Sequence, residues 1–432
     1  MPARCDVVVI GGGPSGSTTA TALARRGYDV VLLEKAKHPR LTVGESLIPH
    51  FWEYADQIGA TEKLEAEGFL AKAGGTVCWN GKIRQMSFRD FGFTRPALHV
   101  ERDRFDKILL DHAGAAGVRI FENVKAGRFR SDEDGSTIDY VDLLAGEEGS
   151  ITGRFVVDAS GQASLLARQM GERSLDDAFR FMSIWGYFKD SKYVASDGCA
   201  HPVGDLTKLP PTTTVVSLGD WGWSWHIPLR ESTSVGIVIP VEKVRSAKDS
   251  AAALESYFLQ TCQSTPLLGQ LLDGADLIEN SVMVIRDFSY RPGTIAGPGF
   301  FVVGDAAAFV DPIFSIGVVY GMFSGSIAAT TIDQCLRRPG EVDRLQKFFS
   351  KMFVSRLGVS RSLALPGTDS GEAVEQMVRS EVEFFGESEK SLMAVVSGLT
   401  NRSSNFTGIF GQERQDAQAS GKFRELAAIE FP

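Results

Sequence analysis

The stretch CDVVVIGGGPSGSTTATALARRGYDVVLLE, residues 5–34, decides the fold. Cys5–Ile10 is a short apolar run of the kind buried in a parallel sheet, and Tyr28–Glu34 is a second. Between them lie the turn Gly11-x-Gly13-x-x-Gly16 and a helical pattern over Ser17–Arg26, rich in Ala and Thr. The first glycine of such a turn permits its tightness, the second lets a pyrophosphate approach the backbone, and the third lets helix and strand pack closely. Pro14 and Ser15 fill the turn, and the helix N-terminus that follows attracts an anion. Glu34 stands 23 residues after Gly11, where an acid can accept hydrogen bonds from a ribose diol, and Lys35 follows it. A glycine-rich turn alone is weak evidence; this one follows a strand, opens a helix and has its acid in place.

Working outward, strand and helix signals alternate, so the class is α/β. Gly74–Val100 and Phe179–Pro240 are rich in aromatic and β-branched residues and predict a second, largely antiparallel sheet. Gly299–Gly304 returns to a buried parallel strand, and from about Leu345 onward the pattern is mostly helical and polar. The expected division is discontinuous: 1–75, 100–175 and 285–340 for the dinucleotide-binding domain, 76–99 and 176–284 for the sheet domain, and 341–432 for a C-terminal helical region.

Composition bounds the rest. The chain has 432 residues, 43% hydrophobic and 23% charged, and a net charge of −9. An acidic chain is poorly suited to nucleic acid or an anionic membrane, which reward a basic surface. Five scattered cysteines with no CxxC pair suggest neither zinc nor a disulfide set. With a strand pattern beginning at residue 5 and no long apolar run, the expectation is a cytoplasmic protein without leader or membrane span.

Three further segments belong with the glycine turn. Val156-Val157-Asp158-Ala159-Ser160-Gly161 is an apolar strand ending in Asp-x-x-Gly. Val303-Gly304-Asp305-Ala306-Ala307 ends another strand in Gly-Asp. His99-Val100-Glu101-Arg102 supplies an arginine that either contacts a cofactor or forms a surface ion pair. In this order the segments resemble the para-hydroxybenzoate hydroxylase superfamily of FAD-dependent proteins, over residues 1 to about 335. The resemblance implies an α/β, Rossmann-like FAD domain with an interleaved antiparallel substrate domain. It assigns to FAD Gly11, Gly13, Pro14, Ser15, Gly16, Glu34, Lys35, Arg102, Asp158, Gly161, Gly304, Asp305, Pro312 and Gly317.

Narrower motifs follow. Trp223-Ser224-Trp225-His226-Ile227-Pro228 is similar to the WxWxIP motif of flavin-dependent halogenases. In an extended strand Trp221, Trp223, Trp225 and Ile227 share one face and make an apolar wall. In that family the wall keeps the organic substrate away from the flavin. Phe309-Val310-Asp311-Pro312-Ile313-Phe314-Ser315-Ile316-Gly317 resembles the family's FxxPxxSxG segment. By resemblance the backbone at Ile316 and Gly317 holds the halide, and Ser315 touches both flavin and a catalytic lysine. Lys72, in Gly68-Phe69-Leu70-Ala71-Lys72-Ala73-Gly74 after Gly44-Glu45-Ser46-Leu47-Ile48-Pro49, sits where phenol- and pyrrole-type halogenases carry that lysine. The plain alternatives are core tryptophans, a general flavin-contacting helix start and a solvated surface lysine.

The implied enzyme is a halogenase using reduced FAD, O2 and chloride or bromide through a flavin C4a-hydroperoxide. Lys72 would position hypohalous acid against an electron-rich phenol or pyrrole, free or carried on an acyl carrier protein. A separate NAD(P)H-dependent reductase would supply reduced FAD. Two departures stand out: Phe314 replaces the glutamate that tryptophan halogenases place before the motif serine, and Ile316 replaces the usual small residue of the halide loop. The alternatives are a flavin-dependent monooxygenase or oxidase on the same scaffold, and a flavin-binding carrier or sensor without turnover. His226 reads as structural; His50 and His99 could reach a pocket, although a lone histidine is more often structural.

Overall fold

The computed structural model of the chain describes residues 1–79, 81–133, 135–219, 222–247, 251–364 and 423–431. Val7–Ile10 and Val30–Glu34 are adjacent parallel strands with every residue buried. They lie in a six-stranded sheet whose order across the sheet is Ala296–Gly297, Phe300–Val302, Phe155–Asp158, Val7–Ile10, Val30–Glu34, Arg119–Glu122. All pairings are parallel except the edge pair 296–297 with 300–301. A sheet of this kind needs both faces covered, which explains strands that are apolar on both sides rather than alternating.

The helix after the glycine turn runs Pro14–Ala24, three residues earlier than expected, because proline fits the first helical position where no N–H partner is needed. Gly11 has φ +102°, and a Cβ there would meet the Ala159 carbonyl oxygen at 2.4 Å; a Cβ on Gly16 would meet the Gly11 carbonyl oxygen at 1.9 Å. The turn therefore accepts only glycine at both places. The long helix Gly317–Arg337 packs on Pro14–Ala24 with Gly321 against the Ser15 hydroxyl and Gly325 against the Ser15 carbonyl.

The second sheet has nine strands, ordered Asp276–Leu277, Phe181–Lys189, Thr233–Pro240, Gly222–Pro228, Thr212–Leu218, Gly74–Trp79, Lys82–Ser87, Phe423–Leu426, with Met283–Arg286 also paired to Phe181–Lys189. It is antiparallel apart from Thr212–Leu218 beside Gly74–Trp79. In the region expected to be mostly helical, Val342–Ala364 is a helix and Phe423–Leu426 is an edge strand paired with Lys82–Ser87. Trp221 and most of 341–432 lie outside the described residues. Among the described residues, no helix is long and apolar enough to cross a membrane, and no group of His, Cys, Asp and Glu could hold a metal.

Candidate active site

The parallel strands Val7–Ile10, Phe155–Asp158 and Phe300–Val302 end side by side, and their C-terminal ends open into a cavity of about 750 Å³ that reaches across to the nine-stranded sheet. Ligands of open α/β sheets bind at such strand ends. The cavity is lined by Gly11, Gly13, Pro14, Ser15, Glu34, Lys35, Arg102, Gly161, Asp305, Pro312, Ser315 and Gly317, and on the far side by Trp223, Trp225 and Ile227. Sequence positions spread over three hundred residues thus meet around one space.

At the end formed by the glycine turn, a Cβ on Gly13 would approach only Arg40 Nη2, at 3.3 Å, so the backbone there faces the cavity. Arg40 was not foreseen; it lies within 3.5 Å of Asp106, which is fully buried and takes two hydrogen bonds from Arg102, 2.9 and 3.1 Å long. Arg102 also donates to the Val43 carbonyl at 2.8 Å and so fixes the strap that follows Arg40. One Glu34 oxygen accepts from the Gly12 N–H at 2.6 Å and the other from the Ala36 N–H at 2.8 Å. A helix N-terminus, two arginines and an oriented carboxylate suit a pyrophosphate and a ribose. Asp305 faces the cavity rather than bulk water, and that enclosure raises its carboxyl to about 6, with Arg102 pulling the other way. Its place in the wall suits a polyol hydroxyl. These residues fit FAD.

Asp158 is placed differently from the sequence reading. Its carboxylate is fully buried and accepts from the Ser160 N–H at 2.9 Å and the Leu166 N–H at 2.8 Å, so it holds the turn whose Ala159, Ser160 and Gly161 line the cavity. Gly16 and Gly304 likewise act behind the wall, one against Gly11 and the other against the Ser15 hydroxyl. Ile316, the residue before Gly317–Arg337, packs against the apolar core, while Gly317 faces the cavity.

At the other end the site is made of side chains. Trp223 and Trp225 are buried with ring centroids 5.8 Å apart, and the Trp225 indole donates to the Ser234 hydroxyl at 3.1 Å. Gly236, opposite Trp225 on the next strand, is needed for that ring: a Cβ there would meet it at 2.2 Å. Asp311 caps the short helix Pro312–Phe314 through the Ile313 N–H at 2.9 Å. Burial raises its carboxyl to about 7, against the Ile313 amide and a hydrogen bond from Trp223. Asp311 thus ties the tryptophan wall to the loop that carries Ser315, itself in the left-handed region at φ +57°.

Lys72 lies just behind this loop and does not line the cavity. It is buried, and desolvation brings its ammonium down to about 7. Its Nζ donates to the Ser46 hydroxyl at 2.8 Å and the Leu47 carbonyl at 3.1 Å. The Ser315 hydroxyl donates to the same Ser46 oxygen at 2.9 Å, so Ser315 reaches Lys72 through Ser46 rather than directly. Ser46, Thr213 and Glu45, all in the cavity wall, were not singled out as site residues from the sequence. His226 Nε2 pairs with the Ser191 hydroxyl at 2.7 Å, and burial holds the ring neutral, down to about 3.

Comparison with known proteins agrees with this geometry. The FAD binding domain family matches residues 4–349. The tryptophan 2-halogenase of Chondromyces crocatus is 36% identical over 346 residues, which cover 79% of this chain and 63% of that protein. The flavin-dependent halogenase armH3 of Armillaria mellea is 30% identical over 435 residues, covering 94% and 83%. Among solved structures, the myxobacterial chondrochloren halogenase CndH superposes with a TM-score of 0.74 at 28% identity, covering 95% of this chain and 93% of that one. The chain spans less than two thirds of the length of the tryptophan halogenase. With its glycine turn, its tryptophan strand and its Ser315 loop around one cavity, the chain belongs to the flavin-dependent halogenases, within the wider family of FAD-binding domains.

Proposed function

We propose that this chain halogenates an electron-rich aromatic such as a phenol or pyrrole, free or carried on an acyl carrier protein, using reduced FAD, O2 and chloride or bromide. A separate NAD(P)H-dependent reductase supplies the reduced FAD. The observation that carries the reading is the lysine: a buried amine, brought near neutral pKa by desolvation, joined through Ser46 to Ser315 at the edge of a tryptophan-walled cavity.

When bound, reduced flavin supplies the activation of O2 that turns halide into an electrophile. The chain's own residues do the rest. Gly11, Gly13, Pro14 and Ser15, with Arg40, hold the pyrophosphate; Glu34 holds the ribose and Asp305 the ribityl chain. Gly317, opening a 21-residue helix, offers its N–H and the positive end of the helix dipole to the halide. Trp223, Trp225 and Ile227 keep a bulky aromatic out of the flavin side and keep water scarce there. Lys72, whose amine meets the cavity wall at Ser46, takes up hypohalous acid there by hydrogen bond or as a haloamine with release of water, and aims it; an amine near its pKa serves either role at neutral pH. Phe314, in place of a glutamate, leaves no acid before Ser315 to accept a ring proton, which favours a substrate already activated. The segments 1–75, 100–175 and 285–340 form the FAD-binding part in this reading, and 76–99 with 176–284 the substrate part.

The test is Lys72→Ala beside Lys72→Arg. Both variants should still bind FAD and consume O2 with reduced flavin, because the lysine does not line the cavity. Halogenated product should fall by several powers of ten, since positioning contributes roughly 7–11 kcal/mol at most to such steps. Arginine should not rescue it: its larger planar guanidinium does not fit the compact amine's place between the Ser46 hydroxyl and the Leu47 carbonyl, and it cannot form a haloamine. Wild-type yields from both variants would remove Lys72 from the mechanism.

A further inference from the structure

The hydrogen bonds around Lys72 have a direction, and it leads to Thr213 and His99, to neither of which the sequence motifs assign a role. An ammonium only donates, so Ser46 Oγ accepts from Lys72 Nζ at 2.8 Å. Ser46 Oγ also accepts from Ser315 at 2.9 Å, which fills both its lone pairs. Its one proton is then left for Thr213 Oγ1, 2.8 Å away. Thr213 Oγ1 in turn lies 2.9 Å from His99 Nε2. His99 is fully buried, and the Pro228 carbonyl lies beside its ring, an acceptor that favours the proton on the nitrogen not facing Thr213. In that tautomer Nε2 is an acceptor. Lys72 donates to Ser46, Ser46 to Thr213, and Thr213 to His99.

Strand geometry holds the run in place. Leu70–Lys72 pairs antiparallel with Ala97–His99, and Ser46 bridges to His99 on the other side. Thr213 comes from the nine-stranded sheet, beside Gly75. We propose that Thr213 and His99 are positioning residues for Lys72: they fix the Ser46 hydroxyl as an acceptor and so hold the buried amine in its charged, donating form. The catalytic consequence rests on the halogenase reading of Lys72; the hydrogen-bond polarity does not.

The surroundings agree. Lys72 Nζ sits 5.3 Å from the Phe88 ring centroid, a placement that favours a cation. The titratable groups facing it are His99 on the paired strand and His226 behind that; both are held neutral by burial. Glu45, next to Ser46 in the chain, is turned away to the Tyr187 hydroxyl at 2.6 Å. Without the acceptor run, Ser46 can rotate and donate to the neutral amine instead.

The experiment follows the Lys72 side-chain nitrogen by NMR in flavin-free, nitrogen-15-lysine-labelled protein, the signal being assigned by its loss in Lys72→Arg. In Thr213→Val and His99→Phe the titration midpoint should drop by about one pH unit, the worth of one hydrogen bond to a charged group. Thr213→Ser should restore the wild-type midpoint. An unchanged midpoint in folded Thr213→Val and His99→Phe overturns the proposal. A shifted midpoint in a protein that makes no halogenated product supports the relay while overturning the halogenase reading, so the two fail separately.

Discussion

The two ends of the cavity are built from different materials. At the glycine turn, backbone makes the site: Gly11 and Gly13, the amides of Gly12 and Ala36 that orient Glu34, and the start of Pro14–Ala24. At the other end, side chains make it: Trp223 and Trp225 lie side by side on one strand with their rings tilted, and Lys72, Ser46, Ser315, Thr213 and His99 meet from five separate segments. Backbone sites tolerate no added atoms but depend little on distant residues. Side-chain sites depend on every partner's position, so they are tuned from afar and damaged from afar.

That difference sets the expected consequences of substitution. The largest is Gly13→Val. Its Cβ has room in the protein itself, meeting only the flexible Arg40 guanidinium, but the side chain would stand where the pyrophosphate approaches. FAD affinity should fall by about a hundredfold or more, roughly 2.7 kcal/mol, with the circular dichroism unchanged. Wild-type affinity in a flavin fluorescence titration would break the distinction, since the turn would then not be a binding surface.

Gly236→Ala acts on the side-chain end. The added methyl overlaps the Trp225 ring, which must leave its place against Ser234. Overpacking of this kind costs about 1–3 kcal/mol. Denaturant midpoints should show that loss, while FAD affinity changes far less than in Gly13→Val. Equal loss of affinity in both variants would mean that the two ends are not separable.

The smallest expected effect is a pH dependence at the joint between the tryptophan wall and the Ser315 loop. Asp311 has its carboxyl raised by burial to about 7. Between its unfolded pKa, roughly 3.9, and that value the folded state binds more protons than the unfolded state. The wild type therefore gains stability as pH falls from 7 toward 4, and loses that contribution as pH rises through 7. Asp311→Asn keeps an oxygen for the Ile313 amide and has no proton to bind. The difference in unfolding free energy between the two proteins should therefore favour the wild type more at pH 5 than at pH 8. A difference that is flat with pH would show that Asp311 is not desolvated.

The same contrast explains what was legible in the sequence. The glycine turn could be read because its constraints are local: a positive φ at Gly11 and close approaches at Gly16 act within a few residues. The tryptophan face could be read because strand alternation is local too. Asp158 could be seen at a strand end, but not that the Ser160 and Leu166 amides already occupy its oxygens. Arg40 and Thr213 carry no motif of their own, and Ser46 stands in the Gly44–Pro49 stretch with nothing local to mark its role; their roles depend on which strands lie side by side. The edge strand Phe423–Leu426 was missed because its sequence reads as helix, and pairing with the open edge of Lys82–Ser87 overrides that propensity.

The most direct measurement is the mass of what the wild type makes. Purified protein, FAD, an NAD(P)H-dependent flavin reductase and chloride or bromide are supplied with a small panel of phenols, pyrroles and indoles. Products bearing the chlorine or bromine isotope pattern, formed only when halide is present and lost in Lys72→Ala, are expected. Products that gain oxygen or lose hydrogen regardless of halide would contradict the halogenase reading and make the chain a monooxygenase or oxidase on this scaffold.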